Sequence, residues 1–473
     1  MPADGAVRTQ PKSNSYALRF LCLAQFERVT GLRLVRPVGS VAGEGLAAYR
    51  AVQTDMRLLV SVEHRFHGTP DGAIWTPTNH AYPFWTRYLR VFDGVRVLAR
   101  VRGVSNPPAR GHRADGPGVS FAAVPSYIGP LQYLLRARAV NRALRTAVQP
   151  DEAVIMRVSS HLANCLEPYL LSTSHPFGLE VIGDPYEVFS PGAVSHPLRV
   201  FLRWWFPRRL RAQCSAAAGV AYVTQKSLQK AYPCRGYKDG LSDVELDDAA
   251  IIQGKKAFAT SYSSVELDHV QTAQPSQRSA SAQSSFRLIS VASLAQMYKG
   301  MDVLIKAVAV CRRRRLDVRL TVVGDGKCRR NLESLATRLG VSPFIEFRGQ
   351  VASGVAIRNE LDLSDLFVLP SRTEGLPRAV IEAMARALPC IGSAVGGIPE
   401  LLGAENLVPP GDVQALARKI EEVVSSPTRM AQMSVSNLKR SEEFRSDVLD
   451  ARRKAFYEYV KEVTAHWIEA GAC

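Results

Sequence analysis

"LFVLPSRTEGLPRAVIEAMARALP", residues 366–389, passes from an apolar run through a short polar loop into a second apolar run. "LFVLPS" reads as a buried strand and "RTEG" as the loop behind it. Pro377 suits the first position of the helix that follows, where its missing N–H costs nothing. Strand, tight loop and helix make the repeating unit of a doubly wound α/β sheet. The same unit recurs on both sides: "PCIGSAV" precedes a helix near Ile398, and "FRLISVAS", "VRLTVVG" and "FIEFRG" precede helices near Met301, Cys328 and Val355. Residues 286–444 are therefore expected to form one Rossmann-like domain.

A second alternation occupies residues 56–270. "MRLLVSVE" (56–63) reads as a buried strand ended by the loop "HRFHGTPDG". "VRVLARV", "VSFAAVPS", "AVIMRVS", "FGLEVIG" and "GVAYVT" read as further strands, with helices over "PLQYLLRARAVNRALRTAV" and "LANCLEPYLLS" between them. The Gln/Ser/Ala-rich stretch 271–285 cannot bury a core and reads as a linker. Residues 1–55 show no sustained period; they are expected to precede a natural start at Met56 or to form a loosely attached extension, with an extra ordered element as the alternative. The long amphipathic helix at the end, within 445–473, is expected to pack back on the first domain. The expected architecture is α/β, with two Rossmann-like, doubly wound parallel-sheet domains facing a cleft and ligand outside the carboxyl ends of the strands.

The 473 residues carry a formal net charge of +17. Such an excess points to an anionic partner: nucleic acid, a phosphorylated small molecule or an anionic membrane surface. The eight cysteines lack any Cys-x-x-Cys pair, which favours reduced thiols and no zinc site. No apolar stretch approaches the roughly 18 residues needed to span a bilayer. "YALRFLCLAQF" near the start is a poor signal peptide. The expected location is cytoplasmic, with peripheral contact at the cytoplasmic membrane face.

Several side chains stand out where the strands end. Lys299 precedes the helix near Met301 and opposes its dipole, a cost that disappears if an anion sits there. A solvated surface lysine is the plainer account. In "VVGDGKCRR", Gly324 permits positive φ and close backbone approach; a lone Gly-x-Gly turn is weak by itself. "SAVGGIPELL" offers another glycine pair, for a bound sugar or for a tight turn. Glu374 lies in the loop before the helix at Pro377, and Glu382 lies in that helix's second turn. An ionised carboxylate can accept both hydroxyls of a ribose diol. Arg378, Glu382 and Arg386 are also spaced to form a surface ion-pair ladder, so two readings of Glu382 stand.

With these motifs in place, residues 286 to about 445 resemble the donor half of retaining glycosyltransferases of family 4, which have the GT-B fold. "EGLPRAVIE", a Glu-x7-Glu motif, carries the resemblance together with "YKGMDVLIKA", "VVGDGKCRRNLESLA", "VGGIPEL" and "LVPPGDVQALA". A weaker likeness to the acceptor half extends through 56–270. The resemblance implies that Glu374 contacts the donor sugar, Glu382 the nucleotide ribose and Lys299 the pyrophosphate. Gly375, Leu376, Pro377 and Gly324 join them as donor-binding candidates. It also implies no cofactor or metal beyond the nucleoside diphosphate sugar as co-substrate, and the chain has no Asp-x-Asp sequence. Two positions depart from the family. Ser293 stands where an arginine is usual, and Gly183 where a histidine is usual. Asp184 is then the catalytic candidate beside it, or a turn residue capping a helix.

In the acceptor half, Gly72 matches the glycine-rich loop that approaches the donor phosphates in the family. His64 and His67 are candidates for acceptor contact or proton transfer; two histidines fall short of the three or four ligands that zinc takes. The segment "HPLRVFLRWWFPRRLRAQC" (196–214) joins arginines to Trp204, Trp205 and two phenylalanines, as in helices that lie in an anionic membrane interface. Pro207 is expected to bend or divide it. No recognition motif accompanies the charge, so lipid ranks above nucleic acid; a core-facing helix with a solvated arginine face is the other reading.

The expected activity is transfer of a hexosyl group from a nucleotide sugar to a carbohydrate or lipid-linked acceptor, with retention implied by the resemblance. A sugar-nucleotide epimerase or hydrolase of the same fold, or a non-catalytic membrane-peripheral scaffold, are the alternatives.

Overall fold

Two sheets organise the chain in its computed structural model, which describes residues 55–109, 111–190, 197–235, 258–261, 267, 285–352 and 354–471. The expected extension 1–55 and the linker 271–285 lie outside the described residues except for Asp55 and Ser285.

The first sheet contains β1 (Arg57–Gly68), β2 (Ile74–Thr76), β3 (Gly94–Gly103), β4 (His112–Arg113), β5 (Val119–Pro125), β6 (Glu152–Val158), β7 (Gly178–Val181), β8 (Gly219–Tyr222) and β9 (Phe258–Ser261). Its parallel strands run in the order β5-β3-β1-β6-β7-β8-β9, while β2 and β4 pair antiparallel beyond the end of β1. The second sheet contains β10 (Phe286–Val291), β11 (Val318–Val323), β12 (Ile345–Gly349), β13 (Leu366–Leu369), β14 (Cys390–Ser393) and β15 (Leu407–Val408). It is parallel throughout, in the order β12-β11-β10-β13-β14-β15. Helices cover the faces, so the inner strands are apolar on both sides; Leu366, Phe367, Val368 and Leu369 are all buried. Each sheet reverses its winding once, between β1 and β6 and between β10 and β13. A crevice opens at such a switch point, outside the carboxyl ends of the two strands.

Two local expectations are corrected. The strand that begins at residue 57 does not end at Glu63 but continues to Gly68, so His64 and His67 lie on β1 and not in a loop. Residues 65–68 pair in parallel with 100–103 of β3, and His67 and Gly68 also pair with Trp75 and Ile74 of β2. This double pairing, with Phe66 buried in the core, extends the strand through residues whose polarity suggested a loop. The helix over Arg199–Ala216 also runs unbroken through Pro207. Its buried face of Pro207, Leu210, Gln213 and Cys214 supplies packing that offsets the lost backbone bond.

The final helix, Ser446–Glu469, lies against β6, β8 and β9 of the first sheet. A side chain at Gly178 would meet Val460 and Phe456, and one at Gly219 would meet Phe456 and Tyr459. The two glycines thus leave room for the helix. Phe456, Tyr457 and Val460 are buried there, each large apolar side chain contributing about 1.5–3 kcal/mol. Tyr457 Oη also donates to the buried Glu180 carboxylate over 3.0 Å.

Candidate active site

The loops that follow β10 and β13 are laced together at the switch point of the second sheet. Gly300 has φ +70°, and a Cβ there would overlap the Pro370 carbonyl oxygen. Arg372 N donates to the Tyr298 carbonyl over 2.7 Å, and the Arg372 guanidinium grips Asp302 through two bonds of 2.8 and 2.7 Å. Burial alone would raise the Asp302 carboxyl, but hydrogen bonding and charge from Arg372 outweigh it and hold the group below its usual range. This lacing sets Lys299 beside Glu374.

Lys299 Nζ donates to Glu374 Oε1 over 2.6 Å, and Ser371 Oγ donates to the same oxygen over 2.7 Å. Glu374 is only 8 % exposed. The lysine that opposed its helix dipole therefore has an anion, supplied by the chain itself. Ser371 is held from behind, since its carbonyl accepts from Ser393 Oγ.

The Glu374–Gly375 backbone is approached closely from β14's loop. Gly396 has φ +53°, and a Cβ there would overlap the Glu374 carbonyl oxygen. Gly397 N donates to the Gly375 carbonyl over 2.7 Å. The glycine pair in "SAVGGIPELL" thus answers to backbone crowding around residue 374. Gly324 and Gly326 have a similar origin: side chains there would overlap the backbone of Ala292, Leu294 and Ala295. Ser293 is exposed on that neighbouring loop and its Oγ accepts from Ala295 N over 3.3 Å.

Pro377 caps the helix Arg378–Ala385 with ψ 114° and is one residue short of the expected first helical position. The helix's leading amides begin at Arg378, directly after Pro377. Half of the anticipated ladder exists. Arg378 Nε donates to Glu382 Oε1 over 2.8 Å, whereas Arg386 turns to Asp362 with two bonds of 2.7 Å. One Glu382 oxygen is left outside the Arg378 bond.

The first sheet meets this loop across the crevice. A Cβ on Gly375 would lie 3.6 Å from the Ile182 carbonyl oxygen and 4.0 Å from Gly183 Cα. Burial pushes the Glu187 carboxyl up, and Thr373 acts in the opposite sense. Asp184 caps the helix Pro185–Val188: its Oδ1 accepts from Tyr186 N over 2.8 Å and also from the Tyr232 hydroxyl. The capping reading of Asp184 is thus realised, one residue from the Gly183–Gly375 approach. Further along, the Glu400 carboxylate accepts from Gln225 N and Ser227 N over 2.6 Å each and from Lys226 N over 3.2 Å, joining the two sheets' units. Thr373, Glu187 and Glu400 escaped the sequence reading, since nothing local marks an approach between residues so far apart in the chain, 175 positions for Glu400 and Gln225.

His64, His67 and Gly72 gather elsewhere, at the β1–β2 hairpin. His64 Nε2 lies 2.9 Å from Thr76 Oγ1, and its ring stacks on His80 at 4.8 Å. Burial first, then the charges of Arg100 and Arg65, lower His64 to about 4; burial, His64 and Arg157 lower His80 to about 3. Gly72 turns the hairpin with φ +83° and faces open space. In the basic segment, Leu198, Val200, Phe201 and Trp204 are exposed, with Arg208 over the Trp204 ring and Arg203 over that of Tyr186. Among the described residues no cluster of three or more His, Cys, Asp or Glu side chains is placed to hold a metal ion, and no helix is long and apolar enough to cross a membrane.

Comparison with known proteins bears on the same segment. Residues 285–426 match the family model described as Glycosyl transferases group 1. Over 393 residues the chain is 24% identical to Protein CapJ of Staphylococcus aureus, covering 83% of this chain and 93% of that one. It is 34% identical over 149 residues to a GDP-mannose-dependent alpha-(1-6)-phosphatidylinositol monomannoside mannosyltransferase of Mycolicibacterium smegmatis, covering 29% of this chain and 38% of that protein. Sucrose-phosphate synthase from Thermosynechococcus elongatus superposes with a TM-score of 0.59 at 17% identity, over 87% of this chain and all of that one. The segment that holds Lys299, Glu374 and Glu382 is thus similar to the group 1 glycosyl transferases, and the chain as a whole carries it on a GT-B fold of two parallel-sheet Rossmann-like domains.

Proposed function

We propose that this chain transfers a hexosyl group from a nucleotide sugar to a carbohydrate or lipid-linked acceptor, with retention at the anomeric carbon. The observation that carries the reading is the Lys299–Glu374 pair at the switch point of the second sheet, with the adjoining Gly375 against Gly183 of the first. The donor diphosphate would draw the Lys299 ammonium from Glu374 and sit against the amides that open the helix Arg378–Ala385. Glu374, relieved of its partner, would accept hydroxyls of the sugar, and Glu382 the ribose hydroxyls. Gly375, Leu376 and Pro377 shape the loop over the diphosphate, and Gly324 and Ser293 border it from the β10 and β11 ends; Gly72, at the β1–β2 hairpin, takes no part in this reading.

In the reaction the bond from the anomeric carbon to the phosphate oxygen breaks and the acceptor oxygen bonds to that carbon on the same face. The acceptor's proton leaves with the departing phosphate, the base nearest that face. Charge on the leaving diphosphate is absorbed by Lys299 and the helix amides, a preorganised stabilisation that needs no metal in this reading. Asp184 supports the site by fixing the turn at Gly183 against Gly375. The helix Arg199–Ala216 offers an anionic membrane its exposed Phe201 and Trp204 among arginines. The name of the mycobacterial relative, a mannosyltransferase for a phosphatidylinositol mannoside, is in keeping with a lipid-linked acceptor.

Incubation with a panel of labelled sugar nucleotides, with and without membrane extract, tests this. Release of nucleoside diphosphate that depends on the extract supports transfer. Turnover without acceptor assigns an epimerase or hydrolase, and absence of donor binding assigns a scaffold.

A further inference from the structure

A cleft of 530 Å³ opens at the carboxyl ends of β1 and β3, lined among others by Glu63, Arg65, His67, Arg100, Arg102 and Ile128. The strands pair Arg65 with Arg100 and His67 with Arg102. Paired residues on neighbouring strands share a face, so these four side chains emerge together. Three guanidinium groups meet one carboxylate here. Arg100 pairs with Glu63 and donates to the Tyr127 carbonyl over 3.1 Å, yet its Nε is buried without a partner. His67 Nδ1 is likewise buried without a partner. The Arg65 and Arg102 side chains are exposed and have no hydrogen bond or ion pair among the described residues. Unpaired like charges held this close are unfavourable until an anion joins them.

The apolar side of the cleft continues onto a helix. Ile128 precedes the helix Gly129–Ala147, whose buried stripe is Tyr133, Ala137, Val140, Leu144 and Ala147. A different stripe faces outward: Leu131 is 75 % and Leu135 85 % exposed, with Ile128 and Leu134 exposed beside them. Positions 128, 131 and 135 fall on one helical face, so the leucines lead away from the cleft as a continuous strip. A free phosphate or a phosphosugar would use the arginines and leave this strip bare.

The geometry points to a phosphate or diphosphate ester of a long hydrocarbon chain as the ligand of this cleft, its phosphate on Arg65 and Arg102 and its chain along Ile128, Leu131 and Leu135. The identification of that ligand as the sugar acceptor rests on the transfer reading given above; the binding itself does not.

Farnesyl diphosphate, farnesol and inorganic diphosphate, titrated calorimetrically into the full chain below micelle-forming concentrations, separate the contributions. Farnesyl diphosphate is expected to bind at least about ten-fold more tightly than either of the others. Arg65→Ser with Arg102→Ser, and separately Leu131→Ser with Leu135→Ser, should each weaken it about ten-fold with unchanged thermal melts, since all four side chains are exposed. Binding should survive Lys299→Ala. Affinity no better than that of inorganic diphosphate, indifference to both substituted pairs, or loss on Lys299→Ala would overturn the assignment, the last by placing the diphosphate at the other crevice. If the chain proves unable to bind any sugar nucleotide, the transfer reading fails while this titration still reports on the cleft.

Discussion

Lys299 and Glu374 lie 75 positions apart in sequence and touch through a 2.6 Å hydrogen bond between loops at the ends of β10 and β13. Removing the ammonium by Lys299→Ala leaves a largely buried carboxylate with the Ser371 hydroxyl. It should cost about 1–3 kcal/mol of stability, read from denaturant melts, as well as nucleoside diphosphate affinity. Glu374→Gln keeps the shape and is expected to fold, while sugar transfer falls about a hundred-fold or more. Wild-type turnover in Glu374→Gln would remove this residue from the chemistry.

Glu382 has one oxygen on Arg378 and the other outside that bond. Glu382→Ala should weaken nucleotide affinity by about 1.5–3 kcal/mol if the carboxylate holds two ribose hydroxyls. The exposed ion pair by itself is worth only about 0.3–0.5 kcal/mol of folding stability. An unchanged dissociation constant with a slightly lowered melt would leave Glu382 an ion-pair residue only.

Gly396→Ala introduces a Cβ into the Glu374 carbonyl oxygen at a positive φ. The loop must shift, at about 1–3 kcal/mol for the backbone conformation alone. Donor turnover should fall further than stability, because the displaced residue is Glu374. Gly72→Ala, at a positive φ facing open space, is the control with strain and no overlap. Equal turnover in the two variants would contradict this account.

Glu400 caps three successive amides of the other unit, at Gln225, Lys226 and Ser227. Arg440 reinforces the junction, donating to Gln225 Oε1 over 3.2 Å and to the Glu400 carbonyl over 2.9 Å. Glu400→Ala should loosen the approach of Gly375 to Gly183 and lower transfer more than donor affinity. A larger radius of gyration by small-angle scattering checks it; an unchanged scattering profile counts against the junction as a determinant of closure.

His64 is held near a pKa of about 4, chiefly by burial and then by Arg100 and Arg65, against 6.5 in an open chain. The unfolded state therefore binds the extra proton first as pH falls below about 6.5, and stability drains away between there and about 4. Above pH 6.5 the group contributes no slope. His64→Gln should reduce the slope of the melting temperature over that acid window, with His80 left to supply the remainder; an unchanged slope would assign the acid loss to other groups. His80, lowered to about 3, should act in the same sense from about pH 6.5 down to about 3.

The chain's own periodicities determined the two sheets, the second unit's strand and helix succession, and the residue types at the strand ends. Those features are local: apolar runs, a proline at a helix start, glycines between strand and helix. Lys299, Glu374 and Glu382 could be singled out because a charge in such a setting is costly without a partner. Who the partner is was not local. Lys299 meets Glu374 because Gly300 and Arg372 lace two loops that are far apart in the chain. His64 and His67 left the expected loop because β2 and β3 pair with the end of β1. The clustering of Arg65, Arg100 and Arg102, and the grip of Glu400 on the Gln225 amide, depend on strand order and on the fit between the two units. Sequence spacing records neither, since backbone pairing and packing bring together residues whose side chains carry no mark of each other.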